Sequence, residues 1–135
     1  MTLINLKKAL SEVTEAFSHT LKNSAYRVLP ELLARDFDIK LEGRLVRKYI
    51  EYPDGRHDEV NIFGKAKNGK DVWIIGECKV RMSKREINDF LKMVERLDSV
   101  IKGEKLLIGV THTIMPDIER YAQSKGIKVY WSYEF

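Results

Sequence analysis

Glu77 and Lys79 are the residues whose types and spacing carry the clearest chemistry in this sequence. They stand near the end of an apolar run, Val72-Trp73-Ile74-Ile75-Gly76-Glu77-Cys78-Lys79-Val80, whose β-branched and aromatic residues predict a strand. Alternation along a strand puts Trp73, Ile75, Glu77 and Lys79 on one side and Val72, Ile74, Gly76, Cys78 and Val80 on the other. A carboxylate and an ammonium therefore project together from an otherwise apolar strand. Burying either charge alone is costly, so something must pair, hydrate or coordinate them. An isolated Glu-x-Lys is most often an ion pair emerging into solvent; the flanking sequence argues for more. Upstream lies a second acidic stretch, His57-Asp58-Glu59-Val60-Asn61-Ile62, and downstream come Arg81, Lys84 and Arg85, leading into a helix whose N-terminus attracts phosphate.

The elements that must position these residues are predicted as follows. Leu3, Leu6, Leu10, Val13 and Phe17 recur at spacings of three and four, the stripe of an amphipathic helix. The stripe also resembles a short heptad seam through which a second copy could pair. A second helix is expected around Tyr26, Leu29, Leu32 and Leu33, with Pro30 near its first turn or at a kink, ending near Arg35. Strands follow over 39–52 and 57–65, joined at Pro53-Asp54-Gly55, and the third strand covers 71–80. Asn68-Gly69 reads as the centre of a tight hairpin. Ser83 and Glu86 have the spacing of a capping box, and Ile87, Phe90, Leu91, Val94, Leu97 and Ile101 line one face behind it, with Gly103 as the left-handed stop. A strand over 106–110, a helix from Pro116 to Lys125 closed by Gly126, and a strand over 127–133 complete the chain.

Strands joined by tight turns run antiparallel and strands joined by helices run parallel. The expectation is thus a single α/β domain over residues 1–135, with a mixed sheet flanked by helices. The hairpin register fixes which acid meets Glu77. A two-residue loop at Asn68-Gly69 puts Asp58 opposite Lys79 and Val60 opposite Glu77, whereas a three-residue loop puts Glu59 opposite Glu77. A one-residue slip exchanges the faces, and both registers stay open at this level.

An acid on one strand, a hairpin, an apolar strand ending in Glu77-Cys78-Lys79, then helix, strand, helix, strand resembles the PD-(D/E)XK nuclease superfamily, the restriction-endonuclease-like fold. The topological match runs from about Leu3 to Tyr133, while about twenty residues carry motif. The resemblance implies a Mg²⁺- (or Mn²⁺-) dependent endonuclease acting on DNA. Glu77 would be a metal ligand and Lys79 would orient or activate the attacking water. Oxygen ligands suit hard Mg²⁺, which lowers the pKa of bound water. The first acid would be Glu59, with Asp58 second. The family pattern of acid, apolar residue, catalytic Asp and two apolar residues falls on Glu59-Val60-Asn61-Ile62-Phe63, so Asn61 stands where the catalytic Asp is expected. A neutral amide there favours a catalytically weakened or inactive domain that binds nucleic acid or a protein partner, the alternative function. Arg81, Lys84 and Arg85 are the expected grips on backbone phosphates. Relatives also use a Glu from the first helix, for which Glu12, Glu15 and Glu31 are candidates. Paired dimers in the family add weight to the N-terminal stripe as a seam.

Composition narrows the field. At 135 residues, with 44% hydrophobic and 33% charged residues, the chain supports one core. Its net charge of +4 suits a polyanionic partner without demanding one. Cys78 is the sole cysteine, so neither an intrachain disulfide nor a cysteine metal cage is available to one chain. No apolar run approaches the ~18 residues that span a bilayer, and a cytoplasmic location is expected. His19, His57 and His112 have no metal-ligand spacing and read as structural or surface residues. Tyr130, Trp131, Tyr133 and Phe135 could stack on bases but better suit a closing strand. Neither a P-loop, a dinucleotide-binding glycine turn nor a serine-hydrolase elbow occurs.

Overall fold

The computed structural model describes residues 2–67 and 71–135. The order is α1 (Leu3–Phe37), β1 (Leu41–Glu51), β2 (His57–Ala66), β3 (Val72–Met82), α2 (Lys84–Leu97), β4 (Glu104–Ile114), α3 (Pro116–Ser124), β5 (Ile127–Trp131) and a final 3₁₀ turn (Ser132–Glu134). The five strands lie side by side in sequence order, β1–β2–β3 antiparallel and β3–β4–β5 parallel. The mixed, helix-flanked α/β sheet expected from the sequence is therefore present. No helix among the described residues is long and apolar enough to cross a membrane.

Two apolar layers hold the sheet. One face packs Ile75, Phe63, Val60 and Ile127 against Ile87, Phe90, Met93 and Leu97 of α2 and Ala122 of α3. The other packs Ile62, Ile74, Cys78, Ile108 and Val110 against Leu21, Ala25, Leu29, Leu32 and Leu33 of α1. Each large side chain so buried contributes roughly 1.5–3 kcal/mol.

The first departure from expectation is α1, one helix of 35 residues where two were expected. Its interior holds Pro30, which removes one backbone hydrogen bond and costs about 3 kcal/mol. Leu29, Leu32 and Leu33 around it are fully or nearly fully buried, and their burial outweighs that cost. The link between the two expected helices contains no Gly or Pro, and Leu21 and Ala25 continue the apolar spacing through it. Asp38, at φ 53°, closes the helix with its N–H on the Ala34 carbonyl.

Elsewhere the local signals hold. Ser83 and Glu86 form the reciprocal capping box of α2, Pro116 opens α3, and Gly55 takes φ +87° in the turn between β1 and β2. Gly103 does not stop α2, which ends at Leu97; it leads into β4 at φ +116°, where a Cβ would lie 2.5 Å from the Asp71 carbonyl oxygen.

The second departure is the register of β2 on β3. Ile62 faces Gly76, Phe63 faces Ile75 and Lys65 faces Trp73, so opposed numbers sum to 138 and neither expected register is adopted. The strands end at Ala66 and begin at Val72, a connection longer than either loop considered. Asn68-Gly69, the expected hairpin centre, lies outside the described residues.

Candidate functional site

β2 carries an extra residue where the site lies. Val46 and Lys48 of β1 face Phe63 and Val60 of β2, so two steps on one strand oppose three on the other. This bulge at Asn61-Ile62 reverses the alternation. Val60 and Phe63 both join the α2 layer, whereas Ile62 joins the α1 layer. Asp58 and Glu59 are thereby sent to different partners. Asp58 accepts two hydrogen bonds from Arg96 of α2, both 2.9 Å, and one from the Tyr52 hydroxyl at 2.7 Å. Those bonds from Arg96, reinforced by Tyr52, hold its carboxyl below the ordinary Asp range. Glu59 instead meets Arg47 of β1, at 3.6 Å.

Extending the β2–β3 register by one residue sets Asn61 beside Glu77. Asn61 is nearly buried, and its side-chain Oδ1 accepts the backbone N–H of Cys78 at 3.0 Å. Its own carbonyl accepts the Tyr26 hydroxyl from α1, at 2.7 Å. Asn61 thus ties β2 to the middle of the Glu77-Cys78-Lys79 triplet. Burial pushes the Cys78 thiol up to about 12, which removes it as a nucleophile at neutral pH.

Glu77 is the electrostatic outlier. Its side chain is 16% exposed, and the Lys79 ammonium lies 3.7 Å away, beyond good hydrogen-bonding distance. Burial raises its pKa to about 7; Lys79 and Lys22 oppose the rise, while the Glu86 carboxylate adds to it. Lys79 also reaches Glu86, at 3.9 Å. Glu86 cannot turn freely to serve as a ligand, because its other oxygen accepts the Ser83 backbone N–H and hydroxyl of the capping box.

On the α1 side, a cavity of about 240 Å³ is lined by His19, Lys22, Asn23, Tyr26 and Arg47. Tyr26 joins it directly to Asn61, Arg47 joins it to Glu59, and the charge of Lys22 reaches Glu77 and Cys78. Of the residues expected to grip phosphate, Arg81 and Arg85 are exposed, and Lys84 places its ammonium 4.7 Å from the Tyr121 ring centre.

The donor set can be compared with what Mg²⁺ requires. Among the described residues, no group of three or more His, Cys, Asp or Glu side chains is close enough to hold one ion. Asp58 is saturated by Arg96 and Tyr52, Glu59 is paired with Arg47, and the Asn61 oxygen is spent on a backbone N–H. In this arrangement the residues do not assemble the oxygen cage that Mg²⁺ prefers. What they do assemble is a desolvated carboxylate with one loose ammonium, within electrostatic reach of Lys22 in the cavity on the α1 side.

Glu77 and Lys79 were legible from strand alternation. The cationic cavity was not, since His19, Lys22 and Tyr26 reach it only through the docking of α1. Glu86 carried a clear capping signal and no sign of its proximity to Lys79.

No protein-family model matches the sequence, and no significant match to a curated protein was found. Solved structures that this chain resembles in part include a repair endonuclease from Pyrococcus abyssi, at 19% identity and TM-score 0.49, matched over 76% of this chain and 44% of that one. EndoMS in its apo form is similar at 14% identity and TM-score 0.47, over 78% and 45% of the two chains. An EndoMS–dsDNA complex gives 14% identity and TM-score 0.39, over 80% and 45%. The present chain spans less than half the length of these proteins.

Proposed function

We propose that this chain is a nuclease-fold domain that binds the DNA backbone across the Glu77–Lys79 site, with a metal-ligand set left incomplete by Asn61. The observation that carries this reading is the Asn61 Oδ1 to Cys78 N–H hydrogen bond. It turns the expected metal-ligand position into a strut between β2 and β3. The cations around it support a polyanionic ligand: Lys22 and Arg47 line the cavity on the α1 side, Arg81 stands exposed near the end of β3 and Arg85 in the first turn of α2. Lys and Arg contacts to phosphates make such binding steeply salt-dependent.

Fluorescence anisotropy of a labelled DNA duplex, titrated at several salt concentrations, tests the reading. Binding that weakens with salt and falls at least tenfold in the Lys22→Ala/Arg47→Ala double variant is expected. Absence of DNA binding by the wild-type chain would refute it.

A second reading is a Mg²⁺- or Mn²⁺-dependent endonuclease. The desolvation of Glu77 favours it, because a buried carboxylate with one loose counter-charge gains most from a cation. That reading requires Asp58 to leave Arg96 or Glu59 to leave Arg47 and join Glu77 at the ion, with the Lys79 ammonium beside it. Metal-dependent nicking of supercoiled plasmid by the wild-type chain, lost in Glu77→Gln, would establish this reading over the first.

A further inference from the structure

The N-terminal half of α1 stands clear of the domain. Leu21 is the first buried residue of the helix. Before it, Leu3, Leu6, Leu10, Val13 and Phe17 are all exposed, from 45% at Leu6 to 67% at Leu3. Residues 3–20 form a helical rod of about 27 Å at 1.5 Å per residue, meeting the domain only at its far end, where His19 lines the cavity beside Arg47. Monomeric proteins rarely leave so continuous an apolar stripe in water, and packing of the apolar face is what sustains most protein helices.

We infer that this rod pairs with the same rod of a second copy, antiparallel, with opposed residue numbers summing to 23. The stripe is a heptad seam with Leu3, Leu10 and Phe17 at one seam position and Leu6, Val13 and Thr20 at the other. Antiparallel pairing at this sum sets each residue of the first group against one of the second: Leu10 against Val13, Leu6 against Phe17 and Leu3 against Thr20. The same register uses the whole free length, since residue 3 of one copy meets residue 20 of the other, just where the domain begins.

The seam is flanked by Lys7, Ala9, Thr14 and Ala16. The alanines let the helices approach closely, and no like charges are opposed. Parallel pairing would instead bring both domains to one end of the rod, while antiparallel pairing leaves one at each end. The polar face argues against a lipid surface, because Lys7 and Lys8 are balanced by Glu12 and Glu15. A seam this short is at the small end of stable interfaces, so a micromolar dimer is expected.

Analytical ultracentrifugation of the intact chain from 1 to 200 μM, beside Leu10→Asp/Val13→Asp, tests association. Both positions are exposed in the single chain, so the core is untouched and circular dichroism and Tm serve as the control. A wild-type dimer and a monomeric variant are expected. A wild-type monomer at every concentration would overturn the inference, as would a variant that still dimerises. Disulfide formation under mild oxidation tests direction: Leu6→Cys mixed with Phe17→Cys bridges, while neither does so alone. Bridging by Leu6→Cys alone would mean parallel pairing and contradict the register.

Discussion

Asp58 and Glu77 are carboxylates on neighbouring strands of one sheet, and the fold treats them oppositely. Asp58 receives three short hydrogen bonds, two of them from one guanidinium, and its carboxyl is held below its ordinary range. Glu77 is buried with a single ammonium at 3.7 Å, and its carboxyl is pushed up to about 7. A saturated acid is a structural tie. A desolvated acid with spare lone pairs has no structural return, and such groups concentrate at functional sites.

The contrast can be broken by removing the charge of Glu77 and then the cation beside each acid. The largest effect is expected at Glu77. Its pKa is raised on folding, so the folded state holds the proton more tightly than the unfolded chain. The associated stability is fully present below about 4.5 and is lost as pH rises through about 7. Glu77→Gln removes this penalty and should stabilise the protein at pH 8 by up to about 3 kcal/mol, with little change at pH 4. Thermal melts of both proteins across pH 4–8 would show the two Tm curves diverging upward in pH.

Arg96→Ala should act in the other direction, destabilising by about 2 kcal/mol at pH 7 through loss of the two charge-assisted bonds to Asp58. Because the Asp58 carboxyl is depressed on folding, its contribution is present at neutral pH and fades as pH falls below about 4. Urea unfolding of wild type and variant at pH 7 and pH 3 would give curves that converge in acid. Lys79→Ala should have the smallest effect, under about 1 kcal/mol, since Lys79 is 44% exposed and makes only long contacts. A Lys79 variant as damaging to stability as the Arg96 one would erase the distinction between tie and site.

Much of this arrangement is written locally. The Ser83–Glu86 capping box, the Pro116 helix start and the apolar strand bearing Glu77 and Lys79 each declare themselves over a few residues. The features that escaped depend on distant partners. Pro30 signals a break, yet the burial of Leu29, Leu32 and Leu33 on the sheet carries α1 through it. The bulge at Asn61-Ile62 comes from fitting β2 between β1 and β3, and no turn residue announces it. That bulge sends Asp58 to Arg96 and Glu59 to Arg47, which is why spacing along the chain could not choose between them.

In the proposed function, Asn61, held on the Cys78 N–H, is what leaves the site short of a metal set. Nicking of supercoiled plasmid in Mg²⁺ and in Mn²⁺, by the wild-type chain and by Asn61→Asp side by side, tests it most directly. No metal-dependent nicking by the wild type, and its appearance in Asn61→Asp, are expected. Efficient nicking by the wild type, abolished by Glu77→Gln, would contradict it and establish a working endonuclease built on other ligands.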